Sequence, residues 1–182
     1  MEESKKVNKI FVYGYLRPDA DDDNGKTWVK HEHQKGMLAQ KAIVKNAKLY
    51  NDAGQAVALL DFPKDQIVGW VLSHPDEKTW EQRLENYDTI EGHYRDTPEE
   101  SYYERGIVKA TLLSDVVEGS EKNPIGKPGE EVEVHMYYQD ADLGDLESVK
   151  NGDWLQREIV EEDLEKKYAN CSLEVAHRKR VK

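Results

Sequence analysis

The sequence predicts an α+β fold built on a mostly antiparallel or barrel-like sheet. Three observations carry that prediction. Short runs rich in β-branched and aromatic residues fill most of the chain up to residue 138. Only one strong helical pattern interrupts them, and a second comes only near the end. One late run, residues 131–138, alternates polar and apolar residues strictly, as a half-exposed strand does.

Taken in order, Lys9-Ile-Phe-Val-Tyr-Gly-Tyr-Leu16 reads as a buried strand, followed by Arg17-Pro18 and a polar loop over residues 19–25. Residues 27–40 hold a short helical pattern that Gly36 weakens. Residues 42–50 and 55–62 read as β-like pieces on either side of the turn Asn51-Asp-Ala-Gly54. Gln66-Ile-Val-Gly-Trp-Val-Leu72 is the next strand, ending at Ser73-His74-Pro75. Pro75, Asp76 and Glu77 then open a helix, because proline lacks a donor the first turn cannot use and acids suit its positive end. Trp80, Leu84 and Tyr87 share one face of it. A strand over residues 102–113 and a Gly/Pro-rich surface loop over 118–130 come next. In the alternating run, Val132, Val134, Met136 and Tyr138 point one way, and Glu131, Glu133 and His135 the other. A last helix places Val160, Leu164 and Tyr168 at four-residue spacing. The length of 182 residues suits one domain, with a core over about 8–170 and flexible tails at 1–7 and 171–182.

Charge and composition exclude several classes. Thirty-seven acidic against 26 basic residues give a net charge of −11, which repels phosphate and argues against nucleic acid or an anionic membrane as partner. No apolar run approaches a membrane span, and residues 1–6 lack the apolar stretch of a signal peptide. A single cysteine, Cys171, fits a reducing, cytoplasmic location. The mean hydropathy of −0.89 would suit disorder, but the apolar residues are concentrated in β-like runs with four tryptophans and ten tyrosines.

Several tempting motifs carry little. Asp19, Asp21, Asp23 and Gly25 resemble a calcium loop, but the glycine comes one place late and Lys30 stands where the closing glutamate is needed. His31 and His33 diverge on a helix and lack a third ligand, so no metal site is expected. Asn170-Cys171-Ser172 has glycosylation spacing that matters only in a secreted protein, and Cys171 has no base beside it. Two features remain. Gly14 lies near a strand end, where it either marks a simple bulge or lets a ligand approach the main chain. Glu91 stands between Ile90 and Gly92 at the end of the amphipathic helix. It is either an exposed surface carboxylate or one desolvated at a pocket mouth, with its pKa raised toward that of a useful base.

Together these residues resemble the γ-glutamylcyclotransferase-like family, which includes the plant avirulence-induced proteins. The resemblance rests on Phe11-Val-Tyr-Gly-Tyr-Leu16, similar to the family's Tyr-Gly-x-Leu strand end, and on Ile67-Val-Gly-Trp-Val71. Asp88-x-x-Glu91-Gly92 and Tyr103-x-Arg105 follow in the family's order, and Asn151-Gly-Asp-Trp154 resembles a late segment of some members. The resemblance implies a small mixed β-barrel with a few packed helices and a pocket at one end. It also implies an acyltransferase- or lyase-type enzyme that needs no cofactor or metal. Such an enzyme cyclises a γ-glutamyl group to 5-oxoproline and releases an amine or amino acid. Carried over by residue, Tyr13, Gly14, Tyr15 and Leu16 form the substrate loop, Glu91 is the general base and Tyr103 lines the pocket, while Arg105 matches a family position without an assigned role. The chain departs at Tyr15, where the family's residue is often small: that ring either turns harmlessly into the core or fills the pocket. The expected partner is therefore a small γ-glutamyl compound. The alternative is a non-catalytic binding or interaction protein that keeps the pocket, and the oligomeric state is left open.

Overall fold

The computed structural model describes residues 6–19, 36–116, 125–140 and 146–157. Five strands close into a barrel in the order β1 (Lys9–Val12), β5 (Gln66–Ser73), β2 (Leu38–Lys45), β6 (Glu104–Val116) and β7 (Glu131–Tyr138). All neighbours are antiparallel except at the closure, where β1 runs parallel to β7 with Ile10 opposite His135. The barrel is therefore mixed, as the family resemblance implies. A second sheet of three strands, in the order β4 (Gln55–Leu60), β3 (Ala47–Asp52) and β8 (Glu147–Ser148), lies beside it.

The alternation of side chains along each strand sorts the core into two bodies. Phe11, Ala42, Val44, Val71, Leu112, Val134 and Met136 belong to one cluster. Their neighbours Ile10, Val12 and Leu72 belong to a second, which the helix α1 (Glu77–Glu91) covers with Trp80, Leu84 and Tyr87. The face of β7 that the sequence assigns to solvent is thus partly covered: Tyr137 is buried in the second cluster, and His135 stacks on Trp80 with centroids 6.3 Å apart. Val134 and Met136 are fully buried as expected, and Val132 and Tyr138 only partly so.

Other expectations shift at their boundaries. β1 stops at Val12, so Tyr13 onward is loop. The single piece read over residues 42–50 is two strands, because Asn46 adopts φ 61° and turns the chain out of the barrel into the second sheet. Asparagine tolerates that left-handed conformation better than most residues. Residues 38–40, read as the end of a helical pattern, are strand. Pro75 stands before the helix and not in its first turn. Asp76 is the N-cap, and its carboxylate accepts from the Thr79 N–H at 2.9 Å. Among the described residues α1 is the only α-helix, accompanied by three short 3-10 turns. The last predicted helix, the histidines at 31 and 33, Cys171 and both tails' outer residues lie outside the described residues.

Candidate functional site

α1 ends where it does because Gly92 takes φ 66°, which glycine adopts without steric cost. The N–H groups of Gly92 and His93 then close on the carbonyls of Thr89 and Asp88, a Schellman-type cap. Glu91 is therefore the final residue of the helix, and its carboxylate is carried over the end of β1 at a fixed height.

There it meets the 13–16 loop. Gly14 does not have a positive φ, and close packing is one requirement for glycine there: a Cβ would lie 2.8 Å from the Cβ of Ala56. The loop lies this close to the β3–β4 hairpin only because no side chain separates them. The loop itself is tied by a turn, Arg17 N–H to the Gly14 carbonyl at 3.1 Å.

Between these elements is a cavity of about 120 Å³. Tyr13, Gly14, Tyr15 and Leu16, with Phe11 and Val12 at the end of β1, form one part of its wall, Gln55 and Ala56 of the hairpin another, and Ile90, Glu91, Tyr103 and Tyr137 the rest. All six residues singled out from sequence as a base or substrate contacts face this one space. It lies where the two core clusters meet, since Tyr13 and Ala56 belong to one, and Leu16, Tyr103 and Tyr137 to the other.

Glu91 is only partly covered because it faces the cavity, and its carboxylate has no hydrogen-bond or ionic partner among the described residues. Loss of water around it raises its pKa from the ordinary carboxylate value to about 7. Around it the phenols are buried and their pKa values raised, Tyr13, Tyr103 and Tyr137 first by desolvation and further by the nearby acids, Glu91 among them. Tyr13 donates its hydroxyl hydrogen to the Tyr137 carbonyl at 2.6 Å, and Tyr103 donates to the Ala56 carbonyl. The hairpin is thereby bonded to the residue that leads into β6, and the 13–16 loop to β7.

Tyr15 lines the cavity without closing it. Its ring stands edge-on to Trp154, centroids 5.6 Å apart, with the Arg157 guanidinium 5.5 Å from its centroid. Arg105 is not brought into the cavity. It lines a separate open groove between residues 6–8 and α1, and its Nε lies 2.8 Å from Oδ1 of Asp88. Its Nη1 lies 2.8 Å from His135 Nδ1, whose other nitrogen lies 3.0 Å from the Val7 carbonyl. Those contacts make Nδ1 the acceptor and Nε2 the protonated nitrogen.

Sequence reasoning missed two supports of the site. Asp88 is buried and accepts from Tyr137 Oη at 2.7 Å as well as from Arg105. Arg17 is fully buried and pairs with Asp19 at 2.8 Å and Asp153 at 2.7 Å. The Asp-x-x-Glu spacing, which puts both acids on one helix face, could have signalled the first; nothing in the sequence links Arg17 to Asp153. No group of three or more His, Cys, Asp or Glu side chains able to hold a metal gathers among the described residues. No helix among them is long and apolar enough to cross a membrane.

Comparison with known proteins bears on the fold and the family. Among solved structures, an AIG2-like protein from Mus musculus shares the fold with a TM-score of 0.53 at 17% identity, covering 81% of this chain and 88% of that one. A protein from Arabidopsis thaliana is 17% identical, with 98% and 88% covered and a TM-score of 0.45. A yeast gamma glutamyl cyclotransferase described as specific to glutathione is 11% identical, with 95% and 97% covered and a TM-score of 0.44. No curated protein matches the chain. The family model described as "Gamma-glutamyl cyclotransferase, AIG2-like" matches residues 10–156, which include the whole cavity wall, and the chain belongs to that family.

Proposed function

We propose that this protein cyclises a small γ-glutamyl amide to 5-oxoproline and releases the attached amine or amino acid, with Glu91 as the base. The observation that carries the reading is Glu91 itself: a carboxylate at the wall of a small cavity that the 13–16 loop also lines, its pKa raised by burial to about 7. A base is most effective when its pKa lies near the working pH, where it is both largely ionised and a strong enough acceptor.

The cavity of about 120 Å³ exceeds the roughly 10–15 Å³ that a single water needs, which leaves room for a small guest. Nucleophile and electrophile belong to one molecule, so holding it folded supplies much of the rate.

In the reaction the substrate's α-nitrogen forms a bond to its own γ-carbonyl carbon, and the bond from that carbon to the amide nitrogen breaks. Two protons leave the α-nitrogen and two reach the departing amine, so the reaction is neutral in protons, with Glu91 as the relay. Main-chain N–H groups of the 13–16 loop are the candidate donors to the oxygen that becomes negative as the ring closes. Tyr13, Gly14, Tyr15, Leu16 and Tyr103 hold the substrate in this scheme.

The test is incubation with a panel of γ-glutamyl amino acids and γ-glutamylamines, with 5-oxoproline as the readout. Product that disappears in Glu91→Gln supports the reading. A panel without product, or product undiminished in Glu91→Gln, overturns it and leaves the pocket as a binding site.

A further inference from the structure

Glu91 and Tyr103 both line the cavity, one before and one after an excursion of the chain over residues 94–101. That excursion is mostly exposed and carries the 3-10 turn Pro98–Glu100. Exposed chain of this kind does not by itself fix the spacing of its two ends. Its neck does. The Tyr102 N–H donates to the Gly92 carbonyl at 2.8 Å, and the Tyr94 N–H donates to Ser101 Oγ at 2.7 Å. The third tie is His93, whose Nδ1 lies 2.9 Å from the Tyr103 carbonyl. A carbonyl only accepts, so Nδ1 carries the hydrogen and the imidazole donates it.

Of the three ties, this one alone ends on Tyr103. That residue is then held twice, its main chain by His93 and its phenol by the Ala56 carbonyl of the hairpin. His93 is not itself one of the cavity-lining residues. Half-buried, it stands behind them with its ring edge-on to Tyr137, centroids 6.2 Å apart.

We propose that His93 is a positioning residue: its Nδ1–H bond to the Tyr103 carbonyl sets where that part of the wall stands relative to Glu91. The inference rests on the proposed reaction and adds a residue that acts on it from behind the wall. A near-attack geometry tolerates little error, so a small displacement of the wall shows in turnover. The bond needs only the Nδ1 hydrogen. It therefore persists whether or not Nε2 carries a proton, and His93 takes no part in moving protons.

Two substitutions separate the bond from the ring. In His93→Asn the amide nitrogen takes the place of Nδ1 and keeps the donor, whereas His93→Phe keeps the ring beside Tyr137 and loses the donor. The position is half-buried, so neither side chain is forced into a closed core. With a γ-glutamyl amide as substrate, His93→Phe is expected to lower kcat at least about tenfold, and His93→Asn to keep most of it. Both keep the rise of kcat/KM near pH 7 that belongs to Glu91. A second readout needs no turnover: NMR titration of the Glu91 carboxyl carbon. Its midpoint is expected to stay at about 7 in wild type and His93→Asn and to fall toward 4.5 in His93→Phe, where a loosened neck admits water. Equal kcat in the two variants, an unmoved Glu91 midpoint in His93→Phe, or loss of the pH-dependent rise in His93→Asn overturns the proposal. Failure of the underlying reaction looks different: no 5-oxoproline from any γ-glutamyl amide with wild type, while the Glu91 midpoint still separates the two variants.

Discussion

Tyr137 donates its phenolic hydrogen to Oδ1 of Asp88 at 2.7 Å, and Asp88 lies three residues before Glu91 on α1. The same carboxylate takes Nε of Arg105 at 2.8 Å, and both ionised side chains are about nine-tenths buried. The last turn of the helix is therefore held to β6 and β7 through one acid, and Glu91 stands over the cavity as a consequence.

Asp88→Ala is expected to destabilise the protein by about 3 kcal/mol, because it strands the Arg105 charge and the Tyr137 hydroxyl in the interior. Asp88→Asn keeps an acceptor for Tyr137 and costs less. Urea unfolding midpoints measure both. If loss of the helix anchor also displaces Glu91, turnover falls in proportion to the stability loss across the two variants. Equal midpoints for wild type and Asp88→Ala would remove the anchor from the account.

The raised pKa of Glu91 has consequences of opposite sign for activity and stability. Turnover needs the ionised form, so kcat/KM is expected to rise with pH through about 7 and level off above it. For stability, a carboxyl whose folded pKa lies above its unfolded value is favoured in the folded state only when protonated. The penalty is absent below the unfolded value, develops between about 4.5 and 7, and is complete above it. It amounts to about 3 kcal/mol at most. Glu91→Gln is thus expected to stabilise the protein at pH 8 and to change it little at pH 5, as thermal unfolding at the two pH values would show. A variant equally stabilised at both would mean that Glu91 is hydrated in the folded state.

The parts of the site that could be read from sequence share one property: their chemistry is local. Gly92 ends a helix by its own backbone, Asp76 caps one three residues away, and Trp80, Leu84 and Tyr87 share a face by period alone. What could not be read depends on partners far along the chain. Tyr137 and Asp88 are 49 residues apart and Arg17 and Asp153 are 136 apart, distances across which pattern and propensity carry no information. His135 shows the cost. Alternation assigns it outward correctly, yet outward on β7 means partly covered by Trp80 and not fully in water. Asn46 is a smaller example, where one left-handed residue divides a run that reads as continuous.

Two glycines at the site separate close packing from backbone conformation. At Gly92 an added Cβ meets nothing nearer than 3.5 Å, so Gly92→Ala costs only the left-handed backbone, about 1 kcal/mol. At Gly14 the backbone is ordinary, but the added Cβ would lie 2.8 Å from Ala56. Gly14→Ala must push the loop off the hairpin, at about 1–3 kcal/mol. Because those two segments are the cavity's walls, kcat/KM is expected to fall at least about tenfold in Gly14→Ala. Gly14→Ala/Ala56→Gly relieves the contact and is expected to restore most of the loss. A double variant no more active than Gly14→Ala would place the defect elsewhere.

Arg17 and Asp153 give the last prediction, because their ends of the pair differ in exposure. The Arg17 side chain is 1% exposed, whereas Asp19 and Asp153 are 32% and 17% exposed. Arg17→Met removes the one deeply buried charge and leaves two carboxylates that water can reach, a change that isosteric apolar replacement often makes cheap. Asp153→Ala does the reverse. It removes a charge-assisted bond from the buried guanidinium, and it removes the acceptor for the Leu155 N–H that starts the turn carrying Trp154. A charge-assisted bond and a cap together are worth about 3 kcal/mol. Asp153→Ala is therefore expected to lower the urea midpoint more than Arg17→Met. It is also expected to loosen Tyr15, whose ring rests against Trp154 at the cavity wall. A raised KM for γ-glutamyl amides in Asp153→Ala, with kcat nearly unchanged, is the matching kinetic outcome. The opposite order of midpoints would mean that the charge of Arg17, and not the turn it meets, holds the loop in place.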